Sequence, residues 1–402
     1  MEEDTVLKLL KTPKLYFYKM VVLLATPFYL KIFKVSGVGL ENVPKERPYL
    51  LIGNHSHKLD PFFIGALIRR PLFQMASNEY FRIPLMRRFM WAMGAFPFEK
   101  YAVDLTAIRY ALRLVQKGFA LGIYPEGGRN WDGKTLPVVE ATASMIKTLR
   151  LPVVPVVSKG NYIAWPRWAN NRRKSPIVIQ YGKPVTFDRS TSKEEIVEWM
   201  QRVLDHNDND TTVEKIKGKN PAEGLTRLLW RCPVCRTIEG LIEKNGDALS
   251  CSACGKEWEV NLDCYMREKG TDSWKPIKEY ADLMVREEEA APIKPHTDSF
   301  LEDDEQVYLQ SGDIELYYQP QYPKLKKVAD GRLYLTNRGL IFVRSDDGRS
   351  IRYPFDEILG KSTEKNFIFQ IGMKDKQIAR FEMPKESCLK WEIFYDLVQN
   401  RK

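Results

Sequence analysis

No stretch of this chain stays apolar long enough to cross a membrane. In the strongest candidate, Leu15 to Phe33, Lys19, Pro27 and Lys31 interrupt the run. The uncharged part, Met20 to Leu30, is about half of the roughly 20 residues a spanning helix needs. Tyr16, Phe17, Tyr18, Phe28 and Tyr29, with Lys8, Lys11, Lys14, Lys19, Lys31 and Lys34 around them, fit an interfacial anchor instead. Lysine stems reach anionic headgroups while aromatic rings occupy the interface. A basic secretory start is also lacking, since Met1 to Asp4 is acidic, so a cytoplasmic chain with reduced thiols is expected. Cysteine is scarce, six in 402 residues, and four of the six form two close pairs. In a reducing compartment that favours metal over disulfides, leaving Cys264 and Cys388 as inert thiols. Acid is scarcer than base, 52 residues against 62, and the formal charge of +10 points to anionic partners.

There is no internal repeat and no low-complexity tract, and 44% hydrophobic content excludes disorder of the whole chain. The length predicts two or three domains. After an amphipathic segment at 1–35, residues 36–206 alternate buried-strand runs (Tyr49 to Gly53, Ala120 to Tyr124, Val153 to Val157, Ile177 to Tyr181) with helical stretches (Phe62 to Ile68, Ala107 to Lys117, Glu194 to Leu204). That is an α/β pattern. His206 to Asp210 reads as a polar break opening a linker. Residues 228–265 hold the cysteine pairs, 266–304 read as a second linker, and 305–402 show strand and hairpin signals around Asn337-Arg338-Gly339 and Asp346-Asp347-Gly348. Leu389, Trp391, Phe394, Tyr395 and Val398 then fall at helical spacing, so a terminal helix caps the small sheet.

Two polar stretches follow strand runs. Asn54-His55-Ser56-His57-Lys58-Leu59-Asp60-Pro61 pairs an imidazole with a carboxylate five residues on. On one helix these would point about 140° apart, so their meeting requires a turn. The sequence supplies one, with Asp60 at N-cap and Pro61 at N1 of a helix. Such a pair makes a general base; equally, Asp60 caps a helix and His55 satisfies a loop. His57, with no carboxylate at the matching distance, fits a surface residue equally well. In Tyr124-Pro125-Glu126-Gly127-Gly128-Arg129, paired glycines let backbone N–H groups approach an oxyanion and an arginine fork grips phosphate. Glu126 would hold that arginine or a substrate hydroxyl. Arg167, Arg172, Arg173 and Lys174, with Trp165 and Trp168, read as a solvated loop or a dock for anionic lipid or an acidic carrier.

Four blocks in order resemble the glycerophospholipid acyltransferase superfamily, which includes 1-acyl-glycerol-3-phosphate acyltransferases. They are Asn54, His55 and Asp60; Gly94 to Lys100; Tyr124, Pro125, Glu126, Gly127 and Arg129; and the Val-Pro strand at Pro152 to Val156. The resemblance implies acyl transfer from acyl-CoA or acyl-carrier protein to a lysophospholipid hydroxyl at the cytoplasmic face of a membrane, by a peripheral or monotopic protein. It implies His55 as base, Asp60 as its orienting partner, Lys100, Glu126, Gly127, Gly128 and Arg129 on the acceptor phosphate, and no catalytic metal. Lys100 stands where the family usually has Arg, and Gly128 where Thr or Ser is usual, so the chain keeps a charge without the fork and lacks a hydroxyl. A non-catalytic lipid-binding scaffold is the competing reading.

Cys232-Pro-Val-Cys235 and Cys251-Ser-Ala-Cys254 are two knuckles whose spacing lets four thiolates surround one structural Zn²⁺, with redox-active disulfides or rubredoxin-like iron as the competing readings. A segment so small needs the metal to fold. Acidic Glu239, Glu243 and Asp247 offset Arg231 and Arg236, so nucleic acid is not expected as a partner. Residues 305–402 resemble the GRAM/PH-like family, which implies a small, mainly β domain with a C-terminal helix.

Overall fold

The computed structural model describes residues 18–400 apart from 19, 22, 23, 25, 47, 99–104, 285–291, 294–299, 322, 323 and 376. Tyr16, Phe17, Lys8, Lys11, Lys14, Lys19 and Lys100 therefore lie outside the described residues. Among the described residues no helix is long and apolar enough to cross a membrane. The described chain forms two compact units, one running through Pro221 and including Asn261–Tyr265, the other comprising the rest from Ala222 onward.

The first unit opens with α1 (Thr26–Ile32), β1 (Val35–Val38), β2 (Leu50–Gly53), α2 (Asp60–Ile68), β3 (Leu72–Ser77), α3 (Pro84–Ala92) and β4 (Ala95–Phe98). It continues with α4 (Leu105–Gln116), β5 (Ala120–Ile123), α5 (Glu140–Leu149), β6 (Val153–Lys159), α6 (Asn161–Ala164), β7 (Ile177–Tyr181) and α7 (Lys193–Leu204). Seven strands lie in the order β1-β7-β6-β2-β5-β3-β4, all neighbours parallel except β6 and β7. β2 sits between β5 and β6, so both its faces are buried and every residue must be apolar or small. Successive side chains alternate sides. Leu50 and Ile52 join one core with α4, α5 and α7, through Tyr110, Leu114, Ile146, Ile196 and Met200. Leu51 joins the opposite core with Phe63 and Ile64 of α2. α7 begins at a reciprocal cap between Ser192 and Glu195. The strand and helix runs read from the sequence thus fall on observed elements.

The His206–Asp210 stretch differs from the expected linker. Asp208 is fully buried, and its carboxylate accepts the Gly160 and Tyr162 amides at 2.7 and 2.8 Å, fastening the start of α6. The 167–174 loop differs as well. Arg167, Trp168 and Arg173 are buried, and Arg173 donates to the Leu262 carbonyl and Cys264 Sγ, so these side chains are packing anchors rather than a docking face.

In the second unit, β8 (Leu241–Lys244), β9 (Ala248–Cys251), β10 (Glu257–Val260), β11 (Tyr265–Glu268) and β12 (Lys275–Pro276) make one small sheet, followed by α8 (Ile277–Asp282). Part of the expected second linker is therefore ordered structure. β13 (Val307–Gln310), β14 (Ile314–Gln321), β15 (Lys324–Thr336), β16 (Gly339–Arg344), β17 (Ser350–Pro354), β18 (Ile358–Glu364), β19 (Ile368–Met373) and β20 (Ile378–Glu382) form an antiparallel sheet, and α9 (Cys388–Gln399) follows. The ribbon is not a separate bead in this unit. The Lys390 ammonium of α9, 1% exposed, pairs with Glu239 and Glu386, and the Trp230 ring meets Phe394 at 5.6 Å. A buried cation holds its place only when paired, so these contacts fix the ribbon against α9.

Candidate active site

The site lies beyond the carboxyl end of β2, where open α/β sheets gather their functional loops. At the strand's end Asn54 clamps β2 to β6. Its side chain donates to the Ser158 carbonyl at 3.1 Å and accepts the Ser158 amide at 2.7 Å. The chain then turns through His55 to Leu59 and enters α2 at Asp60.

Asp60 is fully buried, and its carboxylate organises this turn. Oδ2 accepts His55 Nδ1 at 2.9 Å and the amides of Ser56 and His57 at 3.0 and 2.9 Å, while Oδ1 accepts the Asn161 side-chain amide. Four donors thus meet the carboxylate, three gathered on Oδ2 and one on Oδ1. This corrects the N-cap expectation: the cap position is Leu59, Asp60 is the first helical residue, and its side chain ties down the loop before the helix. Since Nδ1 donates to Asp60, the basic lone pair of His55 is on Nε2. The imidazole stacks near Tyr124, with ring centroids 4.5 Å apart, and its side chain is 18% exposed, reachable by a substrate.

The 124–130 loop, leaving β5, is laced onto the His55 loop. Glu126 Oε1 accepts the His55 amide at 2.6 Å and Oε2 accepts the Leu136 amide at 2.7 Å. The Asn130 amide donates to the His55 carbonyl at 3.0 Å, and its side chain to Ser56 Oγ at 2.9 Å. Both oxygens of Glu126 are thus engaged by backbone, and the expectation that it grips Arg129 or a substrate group is corrected: Glu126 braces the backbone at His55. Burial pushes its carboxyl up to about 8, against the two amide donors that lower it. Gly127 has φ +69°, which its lack of a Cβ permits, and Gly128 has open space around it. Arg129 is half-buried, its carbonyl held by Arg167 at 2.8 Å. Lys100 lies outside the described residues, so its place relative to Arg129 is not described.

His57 is not a surface residue. It is 1% exposed, enclosed by the rings of Phe33, Phe63 and Trp165. Its Nδ1 accepts the Leu59 amide at 3.0 Å, and burial lowers its pKa to about 4, so it is neutral at neutral pH. Neighbouring Lys58 lies over the Trp165 ring at 3.5 Å. Burial and the Arg129 charge hold the Lys58 ammonium below its ordinary pKa, so the two cations share one region. Sequence reasoning missed Asn161, Asn130 and Lys58 as site residues. The signal for Asn161 was a polar residue directly after Gly160 at the end of a buried strand run.

The four cysteine Sγ atoms of the second unit lie within 4.8 Å of one another, with Cys232 to Cys254 at 3.8 Å and Cys235 to Cys251 at 3.6 Å. A tetrahedron with Zn–S near 2.3 Å has S···S edges of about 3.8 Å. A disulfide would need about 2.05 Å. The donor set therefore fits zinc.

Comparison with known proteins bears on the first unit most directly. Residues 34–159 match the family model described as Acyltransferase. The 1-acyl-sn-glycerol-3-phosphate acyltransferase of Limnanthes alba is 27% identical over 153 residues, 37% of this chain and 54% of the relative. That of Saccharomyces cerevisiae is 27% identical over 207 residues, 48% of this chain and 64% of the relative. The chain thus spans less than two thirds of the length of either relative. A crystal structure of the 1-acyl-sn-glycerophosphate (LPA) acyltransferase PlsC from Thermotoga maritima aligns at 23% identity with TM-score 0.41, over 47% of this chain and 76% of that one. Residues 293–380 match the model described as Vacuolar protein sorting protein 36 Vps36, rather than one named for GRAM or PH. A mainly β region with a terminal helix follows the stretch that matches the Acyltransferase model.

Proposed function

We propose that the chain moves a fatty acyl group from acyl-CoA or acyl-carrier protein to the hydroxyl of a lysophospholipid, with 1-acyl-glycerol-3-phosphate giving phosphatidic acid. The observation that carries this reading is His55, held at Nδ1 by buried Asp60 and presented beyond β2. Nε2 takes the hydroxyl proton as the oxygen attacks the thioester carbonyl. A C–O bond forms, the C–S bond breaks, and the departing sulfur leaves with the proton from the imidazolium. Asp60 holds the tautomer and stabilises that cation, a general-base contribution of roughly 10²- to 10⁴-fold. Arg129, the Gly127-Gly128 backbone and Lys100 bind the acceptor phosphate, with Glu126 acting through the His55 backbone. No acyl-enzyme is required.

The setting is the cytoplasmic face of a membrane, with the 1–35 segment as a peripheral or monotopic anchor; Leu24 and Phe28, 70% and 69% exposed, support that reading. Cys232, Cys235, Cys251 and Cys254 hold one structural zinc that fixes the ribbon fold. Residues 305–402 act as a PH/GRAM-like module touching lipid or protein, a reading supported by its antiparallel sheet and terminal helix.

Purified full chain with labelled acyl-CoA and a panel of lysophospholipids tests the chemistry. Labelled phosphatidic acid is expected from lysophosphatidic acid, and its formation at the normal rate by His55→Ala would remove the proposed base. Metal analysis is expected to find about one zinc per chain; a metal-free, folded chain would sink the zinc assignment.

A further inference from the structure

Helix α3 departs from the rule that a surface helix buries one apolar stripe and shows water a polar one. Its inward side is apolar: Met90 is buried and the Trp91 ring meets Phe81 and Tyr110. Its outward side is apolar too. Leu85 is 79% exposed, Met86 and Phe89 are each 39%, and just before them Tyr80 and Ile83 are 40% and 62% exposed. At 100° per residue, Leu85, Phe89 and Met86 span an arc of about 100°, with exposed Arg88 about 60° beyond its Leu85 side and half-buried Arg87 on the inward side between Met90 and Trp91. Single exposed apolar residues are ordinary, whereas a contiguous ridge marks an interaction surface.

Charge selects the occupant. Among the described residues the ion pair on this segment is Arg82 with Glu79 at 2.6 Å, and Arg87 and Arg88 have no carboxylate within pairing distance. An apolar ridge flanked by exposed Arg88 complements a bilayer carrying anionic headgroups. Position supports the same partner. Phe89 stacks on Phe62 of α2 at 6.0 Å, while Phe33, directly after α1, packs on the adjacent Phe63 at 5.3 Å. Two elements with exposed apolar residues therefore rest on α2, the helix that Asp60 opens.

We propose that Tyr80–Phe89 is a second membrane contact, separate from the N-terminal segment, which inserts Ile83, Leu85 and Phe89 among the acyl chains of an anionic bilayer while Arg88 meets the headgroups. It brings the lipid surface to the helix that presents the His55–Asp60 pair. The inference deepens the membrane part of the proposed function and rests on it, but not on acyl transfer.

Sedimentation of the full chain with phosphatidylcholine vesicles, with and without phosphatidylglycerol, tests it without turnover. L85S/F89S is expected to lower vesicle partitioning by roughly tenfold or more. R88E is expected to weaken binding to the anionic vesicles and leave weak binding to neutral ones unchanged. The single variant L85S, at so exposed a position, keeps the test open if the double variant misfolds, and circular dichroism checks the fold. Normal partitioning of L85S and L85S/F89S overturns the ridge and leaves the N-terminal segment as the anchor. Failure of the unaltered chain to bind any vesicle overturns the membrane reading with it. A dimer that L85S/F89S dissociates without loss of vesicle binding makes the ridge an interface between copies, and the proposal falls.

Discussion

The first unit contains two histidine–aspartate pairs of nearly equal length, His55–Asp60 at 2.9 Å and His206–Asp208 at 2.7 Å. In both the aspartate is fully buried and also accepts backbone amides. Their surroundings separate them. His55 ends a central strand, lies against Tyr124, and has Arg129 and Lys58 in the neighbouring loops. His206 follows α7, its backbone pinned to Thr135, and the nearest loop cation, Lys134, is paired with Asp205. A His–Asp contact is thus a structural commonplace, and what sets His55 apart is the loop with paired glycines and an arginine beside it.

The largest test of that contrast is to remove each imidazole. His55→Ala is expected to lower acyl transfer by about 10²- to 10⁴-fold with little change in melting temperature. His206→Ala is expected to do the reverse, costing about 1–2 kcal/mol of stability through its lost buried hydrogen bond while activity stays within a few-fold. Initial rates and thermal melts on both variants decide it. Equal losses of activity would mean that the surroundings do not separate the pairs.

The pairs are also connected. Asp208 fixes the amides at the start of α6, and α6 carries Asn161, whose side chain donates to Asp60. Asn161→Ala leaves one Asp60 oxygen without a buried donor, and a loss of roughly 1–3 kcal/mol in the orientation of the base corresponds to about a tenfold or larger fall in kcat. KM should hardly move, because Asn161 touches Asp60 rather than the acceptor loop. Asn161→Asp sets carboxylate against carboxylate and should fall further than Asn161→Ala. The opposite order in steady-state rates would show that Asn161 serves only the packing of α6.

These links mark where the sequence stops being legible. Runs such as Leu50 to Gly53 carry their burial in their composition, so the α/β order could be read directly. His55 and Asp60 are five residues apart, and local turn chemistry suffices to pair them. Asn161 lies 101 residues from Asp60, and Asp208 looks like solvent-facing polar chain because its partners are backbone amides far away in sequence. Glu126 was misread for the same reason: a carboxylate beside Gly-Gly-Arg suggests a charge partner, but the fold supplies the His55 and Leu136 amides instead. His57 shows the complementary failure, since nothing local announces that three rings close over it.

His57 sharpens the comparison as a histidine with no aspartate at its ring. Its pKa of about 4 lies below the ordinary 6.5 because burial disfavours the cation. Between those values the unfolded chain binds a proton that the folded chain refuses, so stability falls as pH drops from about 6.5 toward 4. The full contribution is at most about 3 kcal/mol. His57→Asn, which can still accept the Leu59 amide, should flatten that part of the profile in chemical denaturation across the window. An unchanged slope would mean that His57 titrates normally and is not sealed from water.

The smallest effect concerns the charge that His206 lacks. Lys58 stands over Trp165 and shares its region with Arg129, so it adds to the field an acceptor phosphate meets without contacting the base. Lys58→Gln is expected to raise KM for a phosphate-bearing acceptor by about threefold, equivalent to roughly 0.7 kcal/mol, and to leave kcat unchanged. Arg129→Gln, with a half-buried guanidinium capable of a bidentate grip, should raise it much more. The two losses should shrink together as ionic strength rises, the Lys58 effect first, because an exposed ammonium is screened more readily than a half-buried fork. A Lys58 variant that lowers kcat at saturating acceptor would place that cation at the reacting atoms and redraw the boundary between base and phosphate site.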